Sequence, residues 1–168
     1  MTPAIIAAKL SGGKLTCYGK RVIAISMYQK GKVFIGSALL VKRQSSSEAT
    51  EYVFRHLLCQ GIEVALKGLL LIEDYDKYVD QLVKPLGHNL SKVATAALKA
   101  YRLKPLRREL AVELAAVNKL YSKHLLRYGT IGDIFVDPAS VVCEMVARRT
   151  YAAIRLAQRE LRRTKDVI

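Results

Sequence analysis

The sequence predicts an all-α fold, with a single helical domain over residues 1–168. Three stretches carry apolar side chains at helical spacing: Glu51–Asp74, the segment after Pro105, and the C-terminal segment that ends near Arg163. No internal repeat or low-complexity tract interrupts them. A chain of this length buries about two thirds of its unfolded surface around one core, so it needs no disulfide or metal to hold it together.

Composition indicates a basic protein of the cytoplasm. The chain has 28 Lys and Arg against 14 Asp and Glu, a formal net charge of +14, which favours partners that carry phosphate. Cys17, Cys59 and Cys143 are odd in number and lack zinc-binding spacing, so reduced thiols are expected. The N-terminus lacks the features of a signal peptide, and no stretch is apolar enough for a membrane span. We therefore expect a soluble protein with no membrane partner and no metal.

The first half of the chain is expected to hold two long helices. Residues 1–21 are expected to be a loosely attached segment, and residues 22–168 the bundle. Val22–Val41 fits either a helix or a β-hairpin, because it is rich in β-branched residues and contains a Lys-Gly-Lys sequence that suits a turn. Glu51–Asp74 is apolar on nearly every side and predicts a central helix surrounded by other helices.

The second half is expected to hold shorter elements, bounded by prolines, glycines and a capping asparagine. In order, they are a short helix over Asp76–Lys84, a helix over Leu90–Arg102 capped by Asn89, a helix beginning at Pro105, a loop from Gly129 to Pro138, and a last helix from about Pro138 or Ala139 to Arg163. The last helix is expected to turn its apolar residues inward, namely Val142, Met145, Val146, Ala153, Ile154, Ala157 and Leu161.

One polar stripe crosses the predicted central helix. His56, Gln60, Glu63 and Lys67 recur at steps that place them on one line. Glu63 and Lys67 stand in the favourable order for an ion pair, which would allow both to be buried. The stripe therefore has either a structural role or a role as one wall of a polar pocket for an anionic ligand.

The last helix carries the first candidate phosphate-binding surface. Arg148, Arg155, Arg159 and Arg162 are spaced so that they share one face of the last helix. A row of guanidinium groups can follow a phosphodiester backbone through bidentate contacts. The alternative is a solvated outer face, with Glu144 and Glu160 as partners of the arginines within the helix.

A second basic cluster precedes the glycine loop. Lys123 is a candidate phosphate-binding residue. His124 is a candidate proton-transfer group for attack by a ribose 2′-hydroxyl, with Arg127 or Lys119 steadying the phosphate. No histidine has a second ligand at metal-binding spacing, and neither a nucleophile motif nor a phosphate-cradling glycine loop is present.

The central helix and the loop after it resemble the HEPN superfamily of small helical-bundle proteins. The residues that carry the resemblance are Glu63 and Lys67, which match an E-hydrophobic-x-L-K motif, and Gly87, His88 and Leu90, which match a following G-H-x-L segment. The resemblance covers about residues 28–102. It implies a helix before the central one, which favours helix over hairpin for the ambiguous stretch. Glu63 and Lys67 are expected to tie the central helix to the Gly87-His88 loop.

The same resemblance implies a dimer-forming bundle. The family includes ribonuclease toxins, nucleotide-binding partners of nucleotidyltransferases, and non-catalytic RNA-binding relatives in phage defence. Its ribonucleases use an arginine followed after four to six residues by a histidine. No arginine precedes a histidine of this chain at that distance, and Lys119 takes the corresponding place before His124. Lysine does not replace the planar guanidinium group.

These observations lead to one expected function and two alternatives. The expected function is that of a homodimeric HEPN-like module that binds RNA or a nucleotide, is non-catalytic or degenerate, acts in a defence or stress system, and uses no cofactor. One alternative is a metal-independent endoribonuclease with His124 as the proton-transfer group. The other is a protein-interaction module whose positive surface meets an acidic protein partner.

Overall fold

A computed structural model gives the structure of the chain and describes residues 15–44, 48–123, 126 and 141–163, with the backbone alone for residues 48, 49 and 154–163. The described residues are helical and contain no β-strand, which confirms the all-α prediction. The helices found among the described residues are α1 (Cys17–Gln44), α2 (Glu48–Glu73), α3 (Tyr75–Tyr78), α4 (Leu90–Ala100), α5 (Arg108–Ser122) and α6 (Glu144–Arg163). A 3-10 turn, Asp80–Leu82, follows α3.

The ambiguous stretch Val22–Val41 lies entirely within helix α1, so the hairpin alternative is wrong. Gly31, the centre of the Lys-Gly-Lys sequence, is a contact point between helices and not a turn residue. A Cβ atom on Gly31 would lie 2.3 Å from the backbone nitrogen of Ala65 in α2. Gly61 and Gly68 of α2 approach α1 as closely, since a Cβ atom there would lie 2.5 Å from Ile35 Cγ1 and from the Tyr28 nitrogen, respectively. These glycines let the two long helices pack backbone against backbone.

Helix α2 contacts α1, α3, α4 and α5. The largest fully buried side chains come from α1, α2, α4 and α5, and they are Tyr28, Ile35, Leu58, Cys59, Leu70, Leu90, Val93, Val117 and Tyr121. Cys59 and Cys143 are buried free thiols, and burial raises the pKa of both. Cys17 is an exposed free thiol.

Several helix boundaries differ from the predicted ones. Helix α2 ends at Glu73, because the Asp74 side chain accepts a hydrogen bond from the Lys77 nitrogen and caps α3. Asn89 caps α4 as predicted, by accepting from the Lys92 nitrogen at 3.0 Å. Helix α5 begins at Arg108 and not at Pro105, since the chain stays non-helical through Arg107.

Helix α6 begins at Glu144, later than predicted. The Val141 carbonyl accepts hydrogen bonds from Arg55, and the Glu113 carboxylate accepts from the Val146 nitrogen at 3.0 Å in the first turn of α6. These contacts fix how the chain enters the helix. Val146 is buried as predicted, but Val142, Met145 and Ala153 are exposed, so their predicted burial is wrong. The side chains of Ile154, Ala157 and Leu161 lie outside the described part of the chain.

The ends of the chain extend outside the described residues. Of the predicted loose segment 1–21, residues 1–14 lie outside them, and helix α1 already begins at Cys17. Lys20 Nζ lies 2.6 Å from the Asp76 carboxylate, so this part of α1 is joined to α3. The predicted loop from Gly129 to Pro138 also lies outside the described residues.

Among the helices that are described, none is long and apolar enough to cross a membrane.

Candidate functional site

A buried carboxylate, Glu63, is the centre of a polar cluster between α2, α4 and α5. Its Oε1 atom lies 2.6 Å from Lys67 Nζ, and its Oε2 atom accepts a hydrogen bond from the Tyr121 hydroxyl at 2.6 Å. His88 Nδ1 lies 3.1 Å from the same Oε2 atom, so the expected contact between α2 and the Gly87-His88 loop is present. Gln60 Oε1 lies 2.9 Å from the Tyr121 hydroxyl. We call these five residues the Glu63 cluster.

The loop before α4 positions His88 at the edge of this cluster. Gly87 has a φ of +49°, which a residue with a Cβ atom rarely adopts. The Leu90 nitrogen donates to the Asn118 Oδ1 atom of α5 at 2.7 Å, which holds the start of α4 against α5. The His88 side chain is 49% exposed while that of Glu63 is 5% exposed. The histidine ring therefore connects the buried carboxylate with the surface.

The contacts of Glu63 determine its charge. Burial alone would raise the pKa of this carboxyl group, but hydrogen bonds from Lys67, Tyr121 and His88 hold the pKa below its ordinary value. Glu63 is therefore ionised at neutral pH. Because a carboxylate only accepts hydrogen bonds, the shared proton lies on His88 Nδ1.

This arrangement stabilises the fold and orients an imidazole ring. Lys67 is only 7% exposed, and the carboxylate of Glu63 balances its charge inside the protein. A carboxylate that fixes the tautomer of a half-exposed histidine is chemically suited to proton transfer, and equally suited to holding a loop in place. In either case one carboxylate of α2 contacts both α5 and the loop before α4.

Sequence reasoning identified four members of the Glu63 cluster but missed its fifth. Tyr121 lies on the buried side of α5 and is 1% exposed. Its hydroxyl nevertheless needs a partner when buried, and it finds Glu63 and Gln60. The sequence feature that could have identified Tyr121 is its hydroxyl group. A buried polar stripe on one helix requires polar groups on the helix that faces it. The ring of His56 also lies near, with its centroid 6.3 Å from that of Tyr121.

A second buried ionic group was not predicted. The Glu51 carboxylate contacts Lys42 of α1 and lies 2.6 Å from an Arg55 guanidinium nitrogen. Arg55 is 4% exposed and also donates to the Val141 carbonyl at 3.0 and 3.2 Å. The pKa of Glu51 is lowered, because the contacts with Lys42 and Arg55 outweigh the effect of burial. The spacing of Glu51 and Arg55 was the available signal.

The candidate phosphate-binding residues lie away from these buried groups. Lys119 and Lys123 are exposed one turn apart at the end of α5, and Arg148 is exposed on α6. Arg155, Arg159 and Arg162 lie on the backbone of α6, and their side chains are outside the described part of the chain. The candidate proton-transfer residue His124 and its neighbour Arg127 also lie outside it.

Metal binding has no support in the described ranges, where no group of three His, Cys, Asp or Glu side chains is arranged to hold an ion. Comparisons with protein-family models, with curated proteins and with solved structures find no match for this chain.

Proposed function

We propose that the protein is a non-catalytic, HEPN-like module that binds RNA or a nucleotide through phosphate contacts on α5 and α6. The contacting groups are Lys119 of α5, Lys123 directly after α5, and the α6 basic face, by which we mean Arg148, Arg155, Arg159 and Arg162. The observation that carries this proposal is the way in which the protein distributes its charges between interior and surface. The resemblance of the Glu63 and Gly87-His88 motifs to the HEPN superfamily supplies the class of ligand.

Some of the acidic side chains are paired with cations inside the fold. Glu51 and Glu63 are buried, and each is paired with a buried cation, Arg55 and Lys67 respectively. Asp76 is paired with Lys20 on a different part of the molecule. These carboxylates therefore do little to reduce the positive potential over α5 and α6.

The surface cations are available to a ligand. None of the ion pairs found among the described residues involves Lys119, Lys123 or Arg148, and all three side chains are exposed. The positions of the α6 basic face follow one another at helical spacing over about four turns of helix. A row of cations on this scale suits several successive phosphate groups better than a single carboxylate.

The Glu63 cluster has a supporting role in this proposal. It joins α2 to α5 and to the loop before α4. Helix α5 carries the exposed Lys119, and the exposed Lys123 follows the helix directly. Binding therefore depends on the cluster through the geometry of the helices and not through a reacting group.

The test replaces the four arginines of the α6 basic face by glutamine and measures the affinity for a single-stranded RNA by filter binding. We expect affinity to fall by about tenfold or more, because each lost cation removes a phosphate contact. The matched control removes four exposed cations elsewhere, through Lys30→Gln, Arg43→Gln, Lys92→Gln and Lys99→Gln. Net charge is then equal in the two variants, so equal losses of affinity would contradict a localised binding surface.

The length of the RNA after incubation with the protein distinguishes this proposal from the ribonuclease alternative. We expect the RNA to be recovered at full length after incubation with wild-type protein in chelator. Cleavage by wild-type protein that is lost in His124→Ala would support the ribonuclease alternative instead. Binding of an acidic protein that RNA fails to displace would support the protein-interaction alternative.

A further inference from the structure

A cavity of about 530 Å³ lies between α2, α4, α5 and α6. Its wall is apolar almost throughout, and includes Leu66 and Leu69 of α2 and Leu110 of α5. A volume of this size is within the range of sites that hold small organic ligands, which is about 300–1,000 Å³. No residue of the Glu63 cluster lines this wall, and neither does Arg148.

The cavity exists because small side chains stand where larger ones would fill it. Ala65, Ala94, Ala97 and Ala153 line it from three helices. Packing is much tighter at the α1–α2 interface, where Gly31, Gly61 and Gly68 leave no room for even one added Cβ atom. Protein interiors are normally packed to high density, and an unfilled apolar space costs stability. An apolar cavity stays dry and takes up apolar molecules, so its wall favours a hydrocarbon body in the ligand.

One cation stands at the opening of this apolar space. Arg149 lines the cavity and is exposed, which places its side chain between the apolar wall and the solvent. Among the described residues, no ion pair involves Arg149. None of the described residues that line the cavity is acidic. A guanidinium group in this position offers a bidentate contact to a carboxylate. Thr150 adds a hydroxyl group nearby.

We propose that this cavity is a binding site for an amphiphilic carboxylate, with the hydrocarbon body between α2, α4, α5 and α6 and the carboxylate on Arg149. The site does not depend on the proposed RNA-binding function. Arg149 lies beside Arg148 in sequence but on the cavity side of α6, together with Val146 and Ala153.

Isothermal titration calorimetry with decanoate tests the site, using 1-decanol and acetate as probes that carry only one half of the ligand. We expect one equivalent of decanoate to bind, 1-decanol to bind about tenfold more weakly, and acetate to give no signal. All probes are used below the concentrations at which they aggregate. Absence of decanoate binding to the wild-type protein overturns the proposal.

Four variants locate the bound molecule. Arg149→Gln is expected to weaken decanoate binding about tenfold and to leave 1-decanol unchanged. Lys99→Gln, which removes an exposed cation outside the cavity, is expected to change neither. Ala153→Trp is expected to abolish binding of both probes by filling the opening. Leu110→Trp provides a second cavity-filling variant should the first one lose its helical circular dichroism spectrum.

Two results would contradict this assignment. Equal weakening in Arg149→Gln and Lys99→Gln would show general attraction of an anion to a basic protein. Binding that persists in a folded cavity-filling variant would place the molecule elsewhere.

Discussion

Replacing Gly68 by alanine is expected to destabilise the protein by about 3 kcal/mol or more, because overpacking of this kind forces backbone shifts. The added Cβ atom would lie 2.5 Å from the nitrogen and 2.7 Å from the Cα atom of Tyr28. Both are backbone atoms, so no side chain can turn away to make room. The gain from the higher helix propensity of alanine, about 1 kcal/mol, is too small to compensate. Urea unfolding followed by circular dichroism measures the change.

The matched control is Gly36→Ala in helix α1. A Cβ atom on Gly36 would meet nothing within 4 Å. The substitution is therefore expected to stabilise the protein by about 0.5–1 kcal/mol, since alanine loses less backbone entropy in a helix. Equal effects of the two glycine substitutions would contradict the close packing of α1 on α2.

Replacing Glu63 by glutamine is expected to destabilise the protein by about 3–5 kcal/mol, the usual cost of leaving a buried charge without its partner. Lys67 is 7% exposed and would lose the carboxylate that lies 2.6 Å from its Nζ atom. The hydrogen bonds from Tyr121 and His88 would also lose the strength that an ionised acceptor gives. Urea unfolding at neutral pH measures this loss.

The control for this variant removes both charges. In Glu63→Gln with Lys67→Met the buried ammonium group is gone, so we expect much of the lost stability to return. The single variant Lys67→Met is expected to cost less than Glu63→Gln, because His88 and Tyr121 still contact the carboxylate. A double variant as unstable as the sum of the two single variants would show that the charges are independent of each other.

Acid is expected to destabilise the fold through the same carboxylates. The folded pKa values of Glu63 and Glu51 lie below the ordinary value of 4.5. Groups of this kind contribute stability that is present above the unfolded pKa and is lost as the pH falls through the folded pKa. Unfolding free energies measured from about pH 6 down to about pH 3 should therefore fall, and the fall should be smaller in Glu63→Gln.

The sequence predicted those parts of the site that depend on spacing within one helix. Glu63 and Lys67 were recognisable as a pair because four residues separate them on a helix, and the exposed position of Arg148 followed from the same periodicity. Helical periodicity assigns a residue to a face. It carries no information about which residue of another helix stands opposite.

The features that were missed depend on contacts between distant parts of the chain. The Tyr121 hydroxyl contacts Glu63 across 58 positions of sequence, and Arg55 contacts the Val141 carbonyl across 86. The late start of α6 follows from the second of these contacts. Gly31 was ambiguous for a related reason, since a glycine suits both a turn and a close helix crossing, and only the position of Ala65 decides between them.

The salt dependence of RNA binding tests the proposed phosphate contacts most directly. Four or more cations that neutralise phosphates of a single strand predict a slope of about −3 or steeper when the logarithm of the association constant is plotted against that of salt concentration. Filter binding of a single-stranded RNA over a range of salt concentrations gives this slope. The account predicts a linear and steep decrease, and an affinity that is independent of salt would contradict it.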